Sequence, residues 1–182
     1  QFSITSLFHG YGGQSYKCIK SNNQLFIIWI DQVTKSIWIN RFEFLNSDHH
    51  KDHFPYLLSN DQPRKLTKSI SGNFDGSFVL MEEKTLFGLI EINNVDYLFK
   101  IDIFKENQDL NFVKQFDNFA GSLSSNTSEN LLSWIEWDFP FMPWENNNLF
   151  FAQLDNYGEL EKTKKLNKEI ISNCEKISFF QP

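Results

Sequence analysis

Short apolar runs alternate along the chain with clusters of Asn, Ser, Asp and Gly. In Tyr97-Leu98-Phe99-Lys100-Ile101-Asp102-Ile103, the residues Tyr97, Phe99, Ile101 and Ile103 share one face and Leu98, Lys100 and Asp102 the other. That period of two is the signature of a β-strand. Phe26-Ile27-Ile28-Trp29-Ile30 is apolar on both faces, which predicts a strand covered from two sides. β-Branched and aromatic residues dominate these runs and turn residues such as Ser21-Asn22-Asn23 punctuate them, so the chain predicts strands and short turns rather than helices. One helix is expected, in the polar stretch 168–172.

The strands fall into three units with the same order of parts. The first comprises 15–20, 24–30, 36–44 and 64–68; the second 77–81, 85–92, 95–104 and 111–116; the third 121–124, 131–137, 149–154 and 162–166. Leu66, Phe116 and Leu166 close the units at a regular interval of 50 residues. A period of ~40 to 50 residues with four strands per repeat is that of a propeller blade. Unit one carries an insertion at 45–60 between its third and fourth strands, and unit three one at 138–148 between its second and third. Such insertions leave each antiparallel meander intact and decorate its ends, where function concentrates. The predicted fold is therefore all-β, a partial β-propeller with blades at about 15–68, 74–117 and 119–167, and the first strand of a further blade at 177–182. Closed propellers have typically ~4 to 8 blades, so the ring is unfinished and the chain, beginning at Gln1 and stopping after a strand-like run, is expected to be cut from a longer protein.

Two motifs stand out from the strands. His9-Gly10-Tyr11-Gly12-Gly13 combines glycines that permit positive φ and close backbone approach with two polar-tipped rings. Trp137-Asp138-Phe139-Pro140-Phe141-Met142-Pro143-Trp144 is an aromatic corner stiffened by two prolines, which fix φ and keep the loop out of the strand ladder. Together they resemble signatures in the β-propeller of dipeptidyl aminopeptidase/acylaminoacyl peptidase-like serine peptidases of the prolyl oligopeptidase superfamily. The resemblance implies a parent hydrolase, esterase/lipase-like in its catalytic fold, that cleaves short peptides or acylated amino termini. It implies a catalytic triad on a C-terminal α/β-hydrolase domain, which is the expected partner, with peptide substrate passing the propeller. It assigns His9, Tyr11, Trp137, Asp138, Pro140, Met142, Pro143 and Trp144 as binding or interdomain candidates. His9 and Tyr11 are expected to pack a strand against the central channel rather than touch substrate. The 137–144 loop either caps its blade or faces the hydrolase domain. A stand-alone propeller scaffold for proteins or carbohydrates, and a regulator whose hydrolase domain has lost its serine, are the alternatives.

Composition narrows the partners. Twenty Phe and five Trp suit stacked sheets with interdigitating rings. A formal net charge of −6, without a basic face, argues against nucleic acid. No apolar run approaches the ~20 residues of a membrane-spanning helix, so no membrane is expected and the location is expected to be cytoplasmic, with a periplasmic one left open. Cys18 and Cys174 could form a single bridge at most and are expected to be reduced thiols. An unfinished ring exposes blade faces, so the chain is expected to self-associate.

No catalytic residue, cofactor or metal is expected. Gly13-Gln14-Ser15-Tyr16-Lys17 lacks the final glycine of a G-x-S-x-G nucleophile elbow and leads into a strand. Asp48-His49-His50-Lys51-Asp52-His53 clusters three histidines, but His50 occupies the place where a zinc peptidase needs Glu, and a solvated loop is expected. Glu82-Glu83 is expected to be a pair of solvated turn carboxylates. Asn126-Thr127-Ser128 is a chance-level match to a glycosylation acceptor.

Overall fold

The computed structural model describes residues 2–44, 57–58 and 62–166. The strands within them form three antiparallel sheets. The first holds β1 (Tyr16–Ser21), β2 (Gln24–Asp31), β3 (Ser36–Phe44), β4 (Leu57–Leu58) and β5 (Arg64–Lys65). The second runs β6 (Asn73–Met81), β7 (Thr85–Ile92), β8 (Val95–Asp102) and β9 (Asn111–Gln115). The third runs β10 (Phe119–Asn126), β11 (Leu131–Trp137), β12 (Asn148–Leu154) and β13 (Leu160–Lys165). Strand order follows chain order in the second and third sheets. The fold is a partial β-propeller.

The 50-residue interval has a structural meaning. Leu66 donates its amide to the Ile37 carbonyl, Phe116 to that of Asp96 and Leu166 to that of Leu149. In each case the acceptor is the second residue of the sheet's third strand, so the three positions perform one task, closing the outer edge. Part of the 45–60 insertion departs from a plain loop: Leu57 and Leu58 pair with Phe44 and Glu43, while β5 pairs with Trp38 and Ile39. The outer strand of the first sheet is thus laid down in two pieces on one edge of β3. The polar stretch 168–172, the strand 177–182, Cys174 and the histidine cluster lie outside the described residues.

The second sheet is sandwiched. Phe99, Ile101, Ile103, Leu86 and Ile90 pack against Phe26, Ile28, Ile30, Ile37 and Ile39 of the first sheet. From its opposite face Leu98, Phe87 and Leu89 pack against Leu132, Trp134 and Leu154 of the third. The alternation read at 97–103 therefore assigns each face to a different core. Phe26–Ile30 is split likewise: Phe26, Ile28 and Ile30 are buried against the second sheet, while Trp29 on the other face is covered by the edge of Phe2 and stacks with Trp38.

The hairpin turns show why polar residues sit where they do. Asn22, Glu82, Glu83, Asn93, Asn94 and Asn130 all take positive φ, the left-handed conformation of tight turns, for which Asn is well suited. Glu83 differs from the solvated carboxylate expected: although exposed, it accepts hydrogen bonds from the Ser21 hydroxyl at 2.6 Å and from the side-chain amide of Asn22. It ties the β6–β7 turn to the β1–β2 turn. Lys100 makes the matching tie between sheets two and three, donating to the Tyr157 carbonyl at 2.7 Å and pairing with Glu159.

Candidate functional site

The innermost strands of the sheets meet around an Asp-x-Ser step. Asp75 Oδ1 accepts the amides of Gln14 at 3.2 Å and Ser77 at 3.3 Å, and its Oδ2 accepts the Ser77 hydroxyl at 2.5 Å. Ser77 Oγ in turn accepts the Leu123 amide at 3.2 Å. Between them Gly76 donates to the Gln14 carbonyl at 2.8 Å. Any side chain at Gly76 would put its Cβ 2.4 Å from that carbonyl oxygen, so glycine is required for the backbones to approach. One three-residue step thereby links all three sheets. Both β6 and β10 lose register next to it, between Asp75 and Val79 and between Gly121 and Ser124, a bulge that frees main-chain groups to bond across sheets.

The glycine-rich segment folds over this step. Phe8–Gly10 is a single 3₁₀ turn in which His9 takes φ 51°, a conformation uncommon outside glycine. It is held from both ends. The buried Ser6 hydroxyl donates to the Phe74 carbonyl at 2.6 Å and accepts the amides of Phe8 and Gly13, each at 3.2 Å. The His9 amide donates to Glu91 Oε2 at 3.0 Å. The His9 imidazole donates from Nε2 to Asp96 Oδ2 at 2.7 Å, and its Nδ1 is hydrogen-bonded to the Tyr11 hydroxyl at 3.3 Å. Asp96 Oδ2 also accepts the Ala120 amide at 2.8 Å. Burial, followed by the charges of Asp96, Asp75 and Glu91, pushes the Tyr11 phenol up to about 12, so it stays protonated as a donor. Burial likewise raises the Asp75 carboxyl above its usual value, against the lowering effect of its bonds from Ser77 and Gln14 and of His9.

The aromatic corner closes the arrangement from the third sheet. Trp137, the last residue of β11, stands nearly perpendicular to the His9 ring at 5.3 Å and stacks with Phe119 at 5.8 Å. The 137–144 loop then turns out from the sheet, with Phe141 donating to the Asp138 carbonyl at 3.0 Å and Glu145 to that of Met142 at 2.9 Å. The Glu145 carboxylate accepts the Met142 amide at 2.9 Å, and Asn147 donates from its side chain to the Pro143 carbonyl at 2.6 Å. The loop ends with Trp144 over Tyr11, ring centroids 6.3 Å apart.

The two sequence motifs therefore form one site. His9, Tyr11, Trp137, Pro143 and Trp144 line a common cavity of about 310 Å³ together with Asp75 and Ser77. Asp138, Pro140 and Met142 are not part of its wall: Asp138 and Pro140 are exposed on the loop, and Asp138 borders a separate cleft above Asp96 and Phe119. Ser6, Asp75, Ser77, Glu91 and Asp96, which hold the site, were not foreseen. A signal for two of them exists. Asn73-Phe74-Asp75-Gly76-Ser77 recurs as Asn118-Phe119-Ala120-Gly121-Ser122, and the difference marks Asp75 as an addition to a repeated inner-strand motif.

Among the described residues no group of three or more His, Cys, Asp or Glu is disposed to hold a metal, and no helix is long and apolar enough to cross a membrane. Both His9 ring nitrogens are engaged by Asp96 and Tyr11, so the imidazole has no nitrogen left to activate a serine. Ser15 lies just before β1 and not on a strand-turn-helix elbow.

No protein-family model matches the sequence, and no curated protein matches it. The fold does have solved counterparts. A puromycin-hydrolyzing peptidase of Mycobacterium tuberculosis superposes with a TM-score of 0.66 at 14% identity. Puromycin hydrolase superposes at 0.64, and its S511A mutant complexed with PGG at 0.65, both at 15% identity. Each match covers 90% of this chain but 25% of the other. The chain thus has the fold of a partial β-propeller similar to about a quarter of the length of those peptidases.

Proposed function

We propose that this chain is the non-catalytic propeller portion of a serine peptidase of the prolyl oligopeptidase type, with its three sheets as consecutive blades at about 15–68, 74–117 and 119–167. It packs on an α/β-hydrolase domain that carries the nucleophile and restricts entry to short peptides and related amides, acylated or free at the amino terminus. The site of action is the cytoplasm.

One observation carries this proposal. The two motifs converge on a single surface that is firmly held from below yet uncovered above, with Phe139 81% exposed, Trp144 55% and Tyr11 53%. Large rings on a stiff, internally hydrogen-bonded loop are the composition of an interface centre. The closed bonding of His9 and the protonated state of Tyr11 supply no nucleophile, in keeping with chemistry performed elsewhere. The solved counterparts are named for puromycin hydrolysis, which makes puromycin the first substrate to assay.

The test uses the protein encoded by the whole reading frame around this chain. Phe139→Asp is expected to lower kcat/KM for puromycin and to weaken capture of the hydrolase domain by the immobilised chain, while a fluorophosphonate labels the hydrolase domain and not this chain. Labelling of a serine within the chain overturns its non-catalytic role. A reading frame with no hydrolase domain overturns the peptidase assignment in favour of a scaffold for protein or carbohydrate binding.

A further inference from the structure

The cavity between the glycine-rich turn and the 137–144 loop has a chemistry that sheet packing does not require. Rings form much of its wall: Tyr11 and Trp144 meet edge to face at 72°, His9 and Trp137 at 86°. A carboxylate borders it. Asp75 is only 5% exposed yet lines the cavity. A carboxylate offers about four acceptor positions. Asp75 uses two on Oδ1, for Gln14 and Ser77, and one on Oδ2, for the Ser77 hydroxyl. One position on Oδ2 is left. Gly13 also lines the cavity and packs directly on the carboxylate: a Cβ there would stand 2.6 Å from Asp75 Oδ1. No Lys or Arg contributes to the lining. Two further carboxylates, Glu91 and Asp96, lie behind it on His9.

Ring faces and an acceptor-rich carboxylate without a cation partner favour one class of ligand. An anion would meet Asp75 with no cation in the lining to neutralise it, and a purely apolar guest would gain nothing from the carboxylate. An ammonium satisfies both, by hydrogen bonding to the carboxylate and by attraction to the ring faces. We propose that this cavity is a binding site for an organic ammonium group, seated between Asp75 and the rings of Tyr11 and Trp144. The docking surface proposed above uses the same Tyr11 and Trp144 rings, so the site is tested on this chain without a hydrolase domain present.

The experiment is calorimetric titration of benzylammonium into the 182-residue chain, with benzyl alcohol as the neutral counterpart and an amine-free buffer. Saturable one-site binding of benzylammonium is expected, with benzyl alcohol weaker by about tenfold or more. Trp144→Ala is expected to weaken binding about fivefold and Trp144→Phe, which keeps a ring face, to restore most of it. Asp75→Asn is expected to weaken it about tenfold, with thermal unfolding recorded for every variant. If Asp75→Asn fails to fold, the Trp144 pair and the alcohol comparison decide the matter. Equal affinity for the alcohol, an unaffected Trp144→Ala, or no saturation by about 10 mM overturns the proposal.

Discussion

His9 reaches across 87 residues of sequence to place its Nε2 2.7 Å from Asp96 Oδ2, with both side chains almost wholly buried, at 4% and 2% exposure. The Ala120 amide meets the same carboxylate oxygen. One aspartate on the second sheet therefore fixes the entering segment and the first strand of the third sheet together. Replacing His9 by Ala leaves the Asp96 side chain with only the Ala120 amide, at a cost of about 2 to 3 kcal/mol. Urea unfolding of His9→Ala is expected to show a lower midpoint with an unchanged slope; an unaltered midpoint would show that the pair contributes nothing to stability.

Trp134 and Trp144 lie ten residues apart and should behave in opposite ways. Trp134 is fully buried, donates its indole N–H to Glu136 at 2.8 Å and packs against Phe116 and Phe150. Trp134→Ala is expected to cost about 3 to 5 kcal/mol. Trp144, half exposed, is expected to cost under about 1 kcal/mol on the same change. Thermal melts of the two variants decide it.

Gly76→Ala tests the contact between the first two sheets. The added Cβ would lie 2.4 Å from the Gln14 carbonyl oxygen, a backbone atom that cannot swing aside. The expected cost is about 1 to 3 kcal/mol. Faster amide exchange at Gly76 and Leu123, relative to the turns at 93–94, is the expected local signature, and uniform exchange would show that the step is not a junction.

Asp31 contributes to the acid limb of stability. Burial raises its carboxyl, but bonds from the Thr34 hydroxyl and the amides of Ser3, Thr34 and Val33 outweigh it and hold the group below its usual 3.8. Its contribution is complete above 3.8, where the unfolded chain is also ionised, and is lost as pH falls through the lower folded value. Asp31→Asn is expected to flatten the loss of stability below that point, measured as denaturation midpoint against pH.

Asp75 acts in the opposite direction. Its burial raises the folded value above 3.8, so its contribution is complete below 3.8 and declines as pH rises toward the folded value. Asp75→Asn is expected to remove that decline. A wild-type and variant pair with parallel profiles across the mildly acidic range would count against it.

Strands, turns and the repeat were legible because each depends on near neighbours. Alternation at Tyr97–Leu98–Phe99 follows from the pleat of the backbone, and Asn93-Asn94 or Glu82-Glu83-Lys84 make turns through their own φ preferences or the shortness of the link. The 50-residue spacing of Leu66, Phe116 and Leu166 was equally plain, since one structural duty recurs at the same place in each sheet. The site was legible only as two separate motifs. That Tyr11 would meet Trp144, and that His9 would sit between Asp96 and Trp137, depends on how whole sheets stack around an axis, and no local pattern encodes that. The same limit explains why Asp75 and Asp96 went unforeseen: a carboxylate inside a strand looks like a solvent-facing residue until a neighbouring sheet covers it. The sequence determined the sheets and their order; only the stacking, which buries Asp75 and brings rings from both ends of the chain around it, determined what those residues do.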